Sequence, residues 1–335
     1  MAQIQYVGID VSARNLEVRI QRRTNDPVEA LSFSNDARGH QQLIRRLSKR
    51  RRQARVVLEA TGIYSLDLAL ALDKARSVEV MVANPRAVSD FAKAHLQRSK
   101  TDSVDAKLLL VFAQRMEFKP WNPPAAEALE LRALARRCHA LTQQRIREKN
   151  RLHAARSCEA LPKSVHDDIE INIRHLNHRI ELLEKTALEL IAKSESLHQA
   201  IGHLTSMKGI AETSALYILA ELLILPADMT ARQLVAHAGL DPRHYKSGTS
   251  IQRPTRISKV GNKHLRSALY MPAVCAVQFE PNVKAFYEKL IERGKKPMQA
   301  NVAVMRKLLH SIYGMLKHGH DFDGEKFYAM EHGKA

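Results

Sequence analysis

The chain has 335 residues, of which 45% are hydrophobic and 26% are charged, a composition that excludes a wholly disordered protein and suits one large or two moderate domains. Its 53 Lys and Arg residues outnumber its 35 Asp and Glu residues and give a formal net charge of +18, which predicts a polyanionic partner. The three cysteines, Cys138, Cys158 and Cys275, form no C-x-x-C pair, which argues against a disulfide framework and a cysteine zinc site.

Strand and helix patterns alternate over the first third of the chain. Apolar runs or period-two alternation predict five strands, at residues 4–10, 16–20, 28–33, 54–59 and 78–83. Short helices are predicted at residues 43–47 and 66–73. Because three strands precede the first helix, we expect an antiparallel meander joined to parallel strands. This layout is typical of RNase H-like α/β domains.

A helical pattern covers residues 87–116 and stops at the proline-rich segment 119–124, the clearest domain boundary in the sequence. Beyond it a helix is predicted over residues 125–160, and strand signals nearly vanish. Apolar residues then recur in steps of three and four from Ile169 onward, a heptad seam that predicts a coiled coil or a helical hairpin. The alternative is a single helix packed on its own domain. We therefore expect an α/β domain at 1–120, a helical, coiled-coil-like linker at 121–200 and a mainly helical C-terminal domain at 201–335.

Four acidic residues are candidates for one metal site. Asp10 and Glu59 each end a predicted strand, so in an α/β sheet both side chains reach one edge, where such folds place their sites. Asp102 and Asp105 are three residues apart near the start of a predicted helix and share one of its faces. Four carboxylates supply only oxygen ligands, which favour Mg²⁺ or Mn²⁺ over zinc. Two such ions can activate a nucleophile and stabilise a leaving oxygen at phosphorus.

Each acid taken alone has a simpler explanation. Asp10 could begin a turn, and Glu59 could be a surface acid. The Asp102 and Asp105 pair could merely favour a helix N-terminus. The first strand also matches the phosphate-binding strand of actin-like ATPases. The sequence contains neither a second glycine-rich phosphate loop nor a P-loop of the form G-x-x-x-x-G-K-[ST], which leaves ATP binding without support.

The second candidate site is the segment 238–250, AGLDPRHYKSGTS, which carries Ser247 beside Gly248. No acidic residue occurs between Asp241 and Glu280, so cations dominate this stretch and would hold a phosphodiester backbone. Ser247 is a candidate nucleophile because these cations would stabilise a pentavalent phosphate. By composition alone, a Ser-Gly-Thr-Ser run is more simply a loop. The candidate nucleic-acid contacts are Arg253, Arg256, Lys259, Lys263 and Arg266.

The predicted helix at 125–160 has a basic character. Between Arg132 and Arg156 it carries eight Lys or Arg residues and one acid, Glu148. Such a run is either a solvated face or, more readily, a surface that follows nucleic-acid phosphates. The candidate contacts are Arg136, Arg137, Arg145, Arg147, Lys149 and Arg151.

Together these motifs resemble the insertion sequence 110 (IS110) group of transposases, which are RuvC-like DEDD enzymes and include bridge-RNA-guided recombinases and related pilin-gene invertases. The resemblance covers nearly the whole chain. Its elements are YVGID at 6–10, LEATG at 58–62, NP at 84–85, KTDSVDA at 100–106, AGL at 238–240, YKSG at 245–248, SK at 258–259 and LRSALYMP at 265–272. The resemblance implies a metal-binding tetrad formed by Asp10, Glu59, Asp102 and Asp105. It also implies that Ser247, rather than Ser250, is the nucleophile that becomes covalently joined to DNA.

The resemblance also implies a mechanism and partners. The enzyme is expected to cut and rejoin donor and target DNA through a covalent phosphoserine intermediate, with Mg²⁺ or Mn²⁺ at the tetrad. The site is composite, because the RuvC-like domain of one protomer meets the serine-bearing domain of another, so a homo-oligomer, a dimer or tetramer, is expected. A structured noncoding guide RNA is expected to pair with the DNA and select the sites.

Two other functions remain open at this point. A RuvC-type, structure-specific endonuclease would use the same tetrad to activate water, and Ser247 would then be a loop residue. A nucleic-acid-binding protein without catalysis would use the acids only structurally.

The sequence shows no targeting pattern. Its N-terminal residues lack the basic and apolar regions of a signal peptide, and no later stretch approaches about 18 uninterrupted apolar residues. We therefore expect no membrane association and a bacterial, cytoplasmic and nucleoid-associated location.

Overall fold

The computed structural model describes residues 4–23, 25–49, 52–60, 62–95, 102–247 and 251–330. Its contacts divide the chain into two compact units, Met1–Pro123 and Pro124–Ala335. The first unit is built on a mixed sheet with helices, and the second is mainly helical. The predicted combination of an α/β part and a helical part is therefore confirmed.

A five-stranded mixed sheet forms the centre of the first unit. Its strands are β1 (Ile4–Val11), β2 (Asn15–Gln21), β3 (Glu29–Ser34), β4 (Gln53–Glu59) and β5 (Val78–Ala83). The order across the sheet is β3-β2-β1-β4-β5, in which β3, β2 and β1 pair antiparallel. Strand β1 pairs parallel with β4, and β4 pairs parallel with β5. The expected meander joined to parallel strands is thus present.

Helices cover both faces of this sheet. They are α1 (Ala37–Leu47), α2 (Leu66–Asp73), α3 (Pro85–Ala94) and α4 (Asp102–Arg115). Helices α1 and α2 pack against alternate strand residues such as Val56 and Leu58. Helices α3 and α4 pack in a second core with Val57, which points to the opposite face. The helical pattern predicted at 87–116 corresponds to two helices, α3 and α4, rather than one.

Helix α4 lies in direct backbone contact with β1. A Cβ atom added to Gly8 would lie 2.2 Å from the backbone nitrogen of Leu110 and 2.3 Å from the carbonyl oxygen of Ala106. No side chain fits between strand and helix at this point, so only glycine permits the approach. The contact holds the N-terminal half of α4 over β1.

Two long helices, α5 (Ala126–Arg156) and α6 (Lys163–Ala192), open the second unit. They fold back on each other as an antiparallel hairpin, and Arg156 pairs with Glu170 at 2.9 Å near the turn. Leu141 of α5 forms a small separate core with Leu176 and Ile180 of α6. The predicted heptad seam is therefore a helical hairpin, whose heptad positions pack within the same chain.

The remaining helices of the second unit share one large hydrophobic core. They are α7 (Glu195–Thr205), α8 (Glu212–Leu222), α9 (Ala231–His237), α10 (Lys263–Ala268), α11 (Tyr270–Phe279), α12 (Pro281–Glu292), α13 (Pro297–His318) and α14 (Gly324–Phe327). In the described part of the chain, none of the helices combines the length and hydrophobicity that a membrane span requires.

Strands β6 (Pro242–Ser247) and β7 (Ile251–Ile257) form an antiparallel hairpin that the sequence did not predict. A helical region with a loop was expected here, because these strands lack a period-two alternation of apolar residues. Backbone pairing forms the ladder instead. Ser258 closes its base by donating its N–H to the Asp241 carbonyl at 2.9 Å and its hydroxyl to the Asp241 carboxylate at 2.5 Å.

Replacing Gly8 with Ala is expected to lower the free energy of unfolding by about 3 kcal/mol, because the added Cβ meets helix backbone that cannot move aside. Urea unfolding followed by circular dichroism measures the change. The control is Gly202→Ala in α7, where an added Cβ meets nothing within 4 Å, and it should be neutral or slightly stabilising. Equal stability of Gly8→Ala and the unchanged protein would contradict the contact.

Candidate active site

The four candidate acids lie at one edge of the first unit. Asp10 is the penultimate residue of β1 and Glu59 is the last residue of β4. In these parallel strands Ile9 pairs with Leu58, and the acids are the next residue on each strand, so they lie side by side. Asp102 and Asp105 occupy the first turn of α4, the helix that packs on β1. Parallel strands that end together, and the glycine contact beneath α4, therefore position all four carboxylates.

The pKa of Asp10 reflects the acids around it. Burial and then the negative charges of Asp102, Asp105 and Glu59 raise the pKa of Asp10 to about 6. Like charges that share a partly buried site disfavour ionisation of each other. The edge thus concentrates negative charge that a bound cation would neutralise.

The acids fit Mg²⁺ by donor chemistry, since carboxylate oxygens are the ligands that hard divalent cations take. Their mutual repulsion at Asp10 also fits a cation site. Among the described residues, however, no three Asp, Glu, His or Cys side chains stand close enough together to hold one ion. Asp102 is exposed at the start of α4, while Asp10 is half-buried. The structure thus brings the four acids to one edge without showing a formed coordination sphere.

The candidate nucleophile, Ser247, lies in the second unit. It is the last residue of β6, and its backbone pairs with Ile251 of β7. Gly248 and Ser250 lie outside the described residues, and the side chains of Ser247 and Arg253 lie outside the described side chains. The backbone therefore places Ser247 at the end of a paired strand.

A buried carboxylate, Glu221 of α8, ties the region after β7 to α5. Its side chain is 3% exposed and accepts bonds from Arg136 Nε at 2.7 Å and Nη2 at 3.0 Å. Asn262 Nδ2 donates to the same carboxylate at 2.6 Å, and the Asn262 N–H donates to the carbonyl of His237. Asn262 also caps α10 through its side-chain oxygen. Helices α5, α8, α9 and α10 thus meet at one group, which we call the Glu221 clamp.

Glu221 remains ionised at neutral pH although it is buried. Burial acts to raise its pKa, but the bonds from Arg136 and Asn262 outweigh burial and hold the pKa below its usual value. Sequence reasoning missed this residue. The sequence does contain a sign of it, because Glu221 is the one acid in the apolar stretch LYILAEL of α8. An acid in a buried helix needs a cationic partner.

The structure divides the predicted basic contacts into two groups. Arg136, Arg145 and Arg266 donate to Glu221, to a side chain of α6 and to a backbone carbonyl, respectively. Their guanidinium groups therefore have structural contacts within the unit. The other predicted cations with described side chains are exposed, and they are Arg137, Arg147, Lys149, Arg151, Arg256, Lys259 and Lys263. Of these, Arg151 also pairs with Glu148 on the same helix at 2.6 Å.

Comparison with known proteins identifies the family of the chain. A family described as "Transposase" matches residues 7–155, and the "Transposase IS116/IS110/IS902 family" matches residues 202–288. The chain is 30% identical to the pilin gene-inverting proteins of Moraxella lacunata and Moraxella bovis over 95% of its own length and 97% of theirs. The chain belongs to the IS110 family of transposases. It is also 25% identical to the putative transposase y4rJ of Sinorhizobium fredii, with 84% of each chain covered.

Membership of the IS110 family confirms the resemblance drawn from the motifs. The first matched segment contains Asp10, Glu59, Asp102 and Asp105, and the second contains Ser247 together with Glu221. Transposases of this family are DNA recombinases, so DNA is the substrate of this IS110 transposase.

In this IS110 transposase, replacing Asp102 with Asn is expected to lower the pKa of Asp10 from about 6, because Asp102 is the neighbouring negative charge that raises this pKa most. Carboxyl-carbon NMR titration in the presence of EDTA measures this pKa. Asp90→Asn on α3 is the control, because Asp90 pairs with Lys93 and does not contribute to the Asp10 shift. An Asp10 that titrates near 3.8 in the unchanged protein would show that the acids are not neighbours.

Replacing Glu221 with Gln is expected to lower the free energy of unfolding by about 2 kcal/mol, because Arg136, whose side chain is 38% exposed, loses the charged partner that lies buried beside it. Chemical denaturation monitored by circular dichroism measures this loss. Glu189→Gln is the matched control, since Glu189 is 59% exposed, lies 4.0 Å from Lys185 and should contribute less than about 1 kcal/mol. Similar effects of the two substitutions would contradict the clamp.

Proposed function

We propose that this IS110 transposase cuts and rejoins DNA through a phosphoserine intermediate on Ser247, with Mg²⁺ or Mn²⁺ held by Asp10, Glu59, Asp102 and Asp105. The observation that carries this proposal is the edge where β1, β4 and α4 bring four acids together and raise the pKa of Asp10. The matches of two transposase segments, one around the acids and one around Ser247, support it.

The first unit is proposed to be an RNase H-like, RuvC-like domain. Its strand order, with three antiparallel strands followed by two parallel ones, and its helices on both faces support this assignment. The candidate acids lie at the ends of the first and fourth strands and on the helix packed over the first. Sites in open α/β sheets occupy this position outside the carboxyl ends of the strands.

The proposed chemistry begins with the Ser247 hydroxyl. Its Oγ forms a bond to phosphorus while the bond between phosphorus and one deoxyribose oxygen breaks, and that oxygen takes up the proton lost by serine. A deoxyribose hydroxyl of another strand then attacks the phosphorus of the phosphoserine, the bond between phosphorus and Ser247 Oγ breaks, and Oγ takes up the proton that the attacking hydroxyl loses, which restores a phosphodiester. Because the phosphoserine conserves the bond energy, strands are exchanged without ATP.

The acids of the first unit would bind and orient the cation. When bound, Mg²⁺ polarises the scissile phosphate and favours ionisation of the attacking hydroxyl. Burial and the neighbouring acids raise the pKa of Asp10 to about 6, and a cation bound beside it would favour its ionised form. Glu59 supplies a second carboxylate from the neighbouring strand, and α4 supplies two more from its first turn.

The exposed cations of the second unit are proposed to hold nucleic-acid phosphates. Arg137, Arg147 and Lys149 lie on α5, and Arg256 and Lys259 flank the end of β7. A guide RNA and DNA both present phosphates to such a surface, and binding should weaken steeply with salt. A structured guide RNA that selects donor and target sites, and a dimer or tetramer with a site shared between protomers, complete the proposal.

The proposal predicts a covalent protein–DNA adduct. Purified protein with Mg²⁺, its co-purifying RNA and DNA that spans the ends flanking its gene should give the adduct on a denaturing gel. Ser247→Ala should abolish it because the nucleophile is gone, whereas Ser250→Ala, two residues beyond Gly248, is the control and should retain it. Asp102→Ala should reduce it strongly, because one metal ligand is lost.

Each other outcome has a defined meaning. If Ser247→Ala cuts DNA as fast as the unchanged protein and no adduct forms, the tetrad activates water, and the function is that of a RuvC-type endonuclease. If Ser250→Ala alone removes the adduct, the nucleophile has been assigned to the wrong serine.

A further inference from the structure

Two apolar side chains are exposed close to the acidic edge. Among the described residues, Ile63 is the most exposed large hydrophobic side chain, at 78%, and Tyr64 beside it is 52% exposed. They follow Gly62, whose φ of +80° turns the chain just after β4, and they precede α2. Single exposed apolar side chains are normal on protein surfaces, whereas adjacent ones are a candidate contact surface for a partner.

The backbone of this pair is anchored. Asn35 Nδ2 donates to the Tyr64 carbonyl at 3.1 Å and to the Ser12 carbonyl at 2.8 Å. The Leu66 N–H donates to the Ile63 carbonyl at 3.3 Å and closes a turn. The exposed side chains are therefore presented by a fixed backbone.

A buried histidine orients the anchor. Because the two carbonyls can only accept, Asn35 must direct its Nδ2 to them, which leaves its Oδ1 to accept from His40 Nε2 at 2.8 Å. His40 is 6% exposed, and burial lowers its pKa, so the ring is neutral and carries its proton on Nε2. Asn35 is thus held on both sides of its amide.

The same anchor places the pair beside the candidate acids. Ser12 follows Asp10 by two residues, and its carbonyl shares one donor nitrogen with the carbonyl of Tyr64. The Asn35 N–H also donates to the carbonyl of Arg14, whose side chain is exposed in the turn after β1. The loop that follows Asp10 and carries the exposed Arg14 is therefore joined through Asn35 to the turn that carries Ile63 and Tyr64.

We propose that Ile63 and Tyr64 form a nucleobase-stacking surface that holds an unpaired DNA base beside the scissile phosphate. This inference rests on the proposed function, because that function places a DNA phosphate at the acidic edge. Stacking on an aromatic ring needs no particular base, because every base has an aromatic face. Arg14 is placed to contact a phosphate of the same strand.

The composition of the surface favours nucleic acid over a protein partner. Two side chains cover far less area than the roughly 800 Å² that each partner contributes to a stable protein interface. A single base matches an isolated Tyr and Ile well, and the neighbouring cation suits a phosphate rather than a second apolar patch. A paired base is already stacked within its duplex, so the surface would take a base that strand opening has freed.

Photocrosslinking of the full-length protein tests this inference. A single-stranded oligonucleotide carrying 5-iodouracil is bound in EDTA, irradiated, and the crosslinked peptide is identified by mass spectrometry. We expect the crosslink at Tyr64. Tyr64→Ala should remove that crosslink and weaken binding of the oligonucleotide about tenfold, within the range expected for one stacked base, whereas Tyr64→Phe should retain both because it keeps the ring.

The control is Tyr270→Ala in α11, another exposed tyrosine, which should leave the crosslink unchanged. A crosslink that maps elsewhere, together with unchanged binding by Tyr64→Ala, would overturn the proposal. Loss of self-association in Tyr64→Ala without any change in the crosslink would identify a protein interface and also overturn it. Because EDTA removes metal and no strand is cut, this result is independent of whether Ser247 forms an adduct.

Discussion

The close contact between α4 and β1 at Gly8 is the constraint on which the acidic edge depends. Any side chain at this position would separate helix and strand, since even a Cβ would lie 2.2 Å from helix backbone. Asp102 and Asp105 belong to the helix, whereas Asp10 ends the strand. The charge coupling among these acids therefore follows from a residue that carries no functional group itself.

Two carboxylates in this chain show how environment decides what a buried acid does. Asp10 is surrounded by other acids, and its pKa is raised to about 6. Glu221 is buried more deeply, yet its pKa is lowered because Arg136 and Asn262 donate to it. The neighbours of Asp10 that shift its pKa are acidic, whereas Glu221 is paired with a cation of the same unit, Arg136. Burial alone would not separate these two environments, but the charge of the neighbours does.

Local patterns predicted much of the first unit and of the acidic edge. The strands that carry Asp10 and Glu59 have continuous apolar runs, and the carboxyl ends of parallel strands meet at one edge. The β6–β7 hairpin was missed because its residues are polar and basic, so its pairing leaves no hydrophobic period. The assignment of Ser247 as nucleophile came from resemblance to a family, since its local sequence reads as a loop.

Local sequence patterns could not predict side-chain contacts between residues that are far apart in the chain. Arg136 and Glu221 are 85 residues apart in sequence, and no local period links them. Arg136 was therefore interpreted as a phosphate contact along with its exposed neighbours on α5. The same limit applies to Asn35, whose side chain bonds to Ser12 after β1, to Tyr64 before α2 and to His40 of α1.

The Glu221 clamp has a mechanical consequence. Glu221 pairs with Arg132 and Arg136, which lie close to the start of the 31-residue helix α5. About 30 Å of α5 extends from Arg136 to the turn of the helical hairpin. This part of α5 is held at one end by the Glu221 clamp and packs against α6. Asn262 of the clamp lies five residues after the end of β7. The base of the helical hairpin and the strand pair that carries Ser247 therefore share one buried carboxylate as a common attachment point.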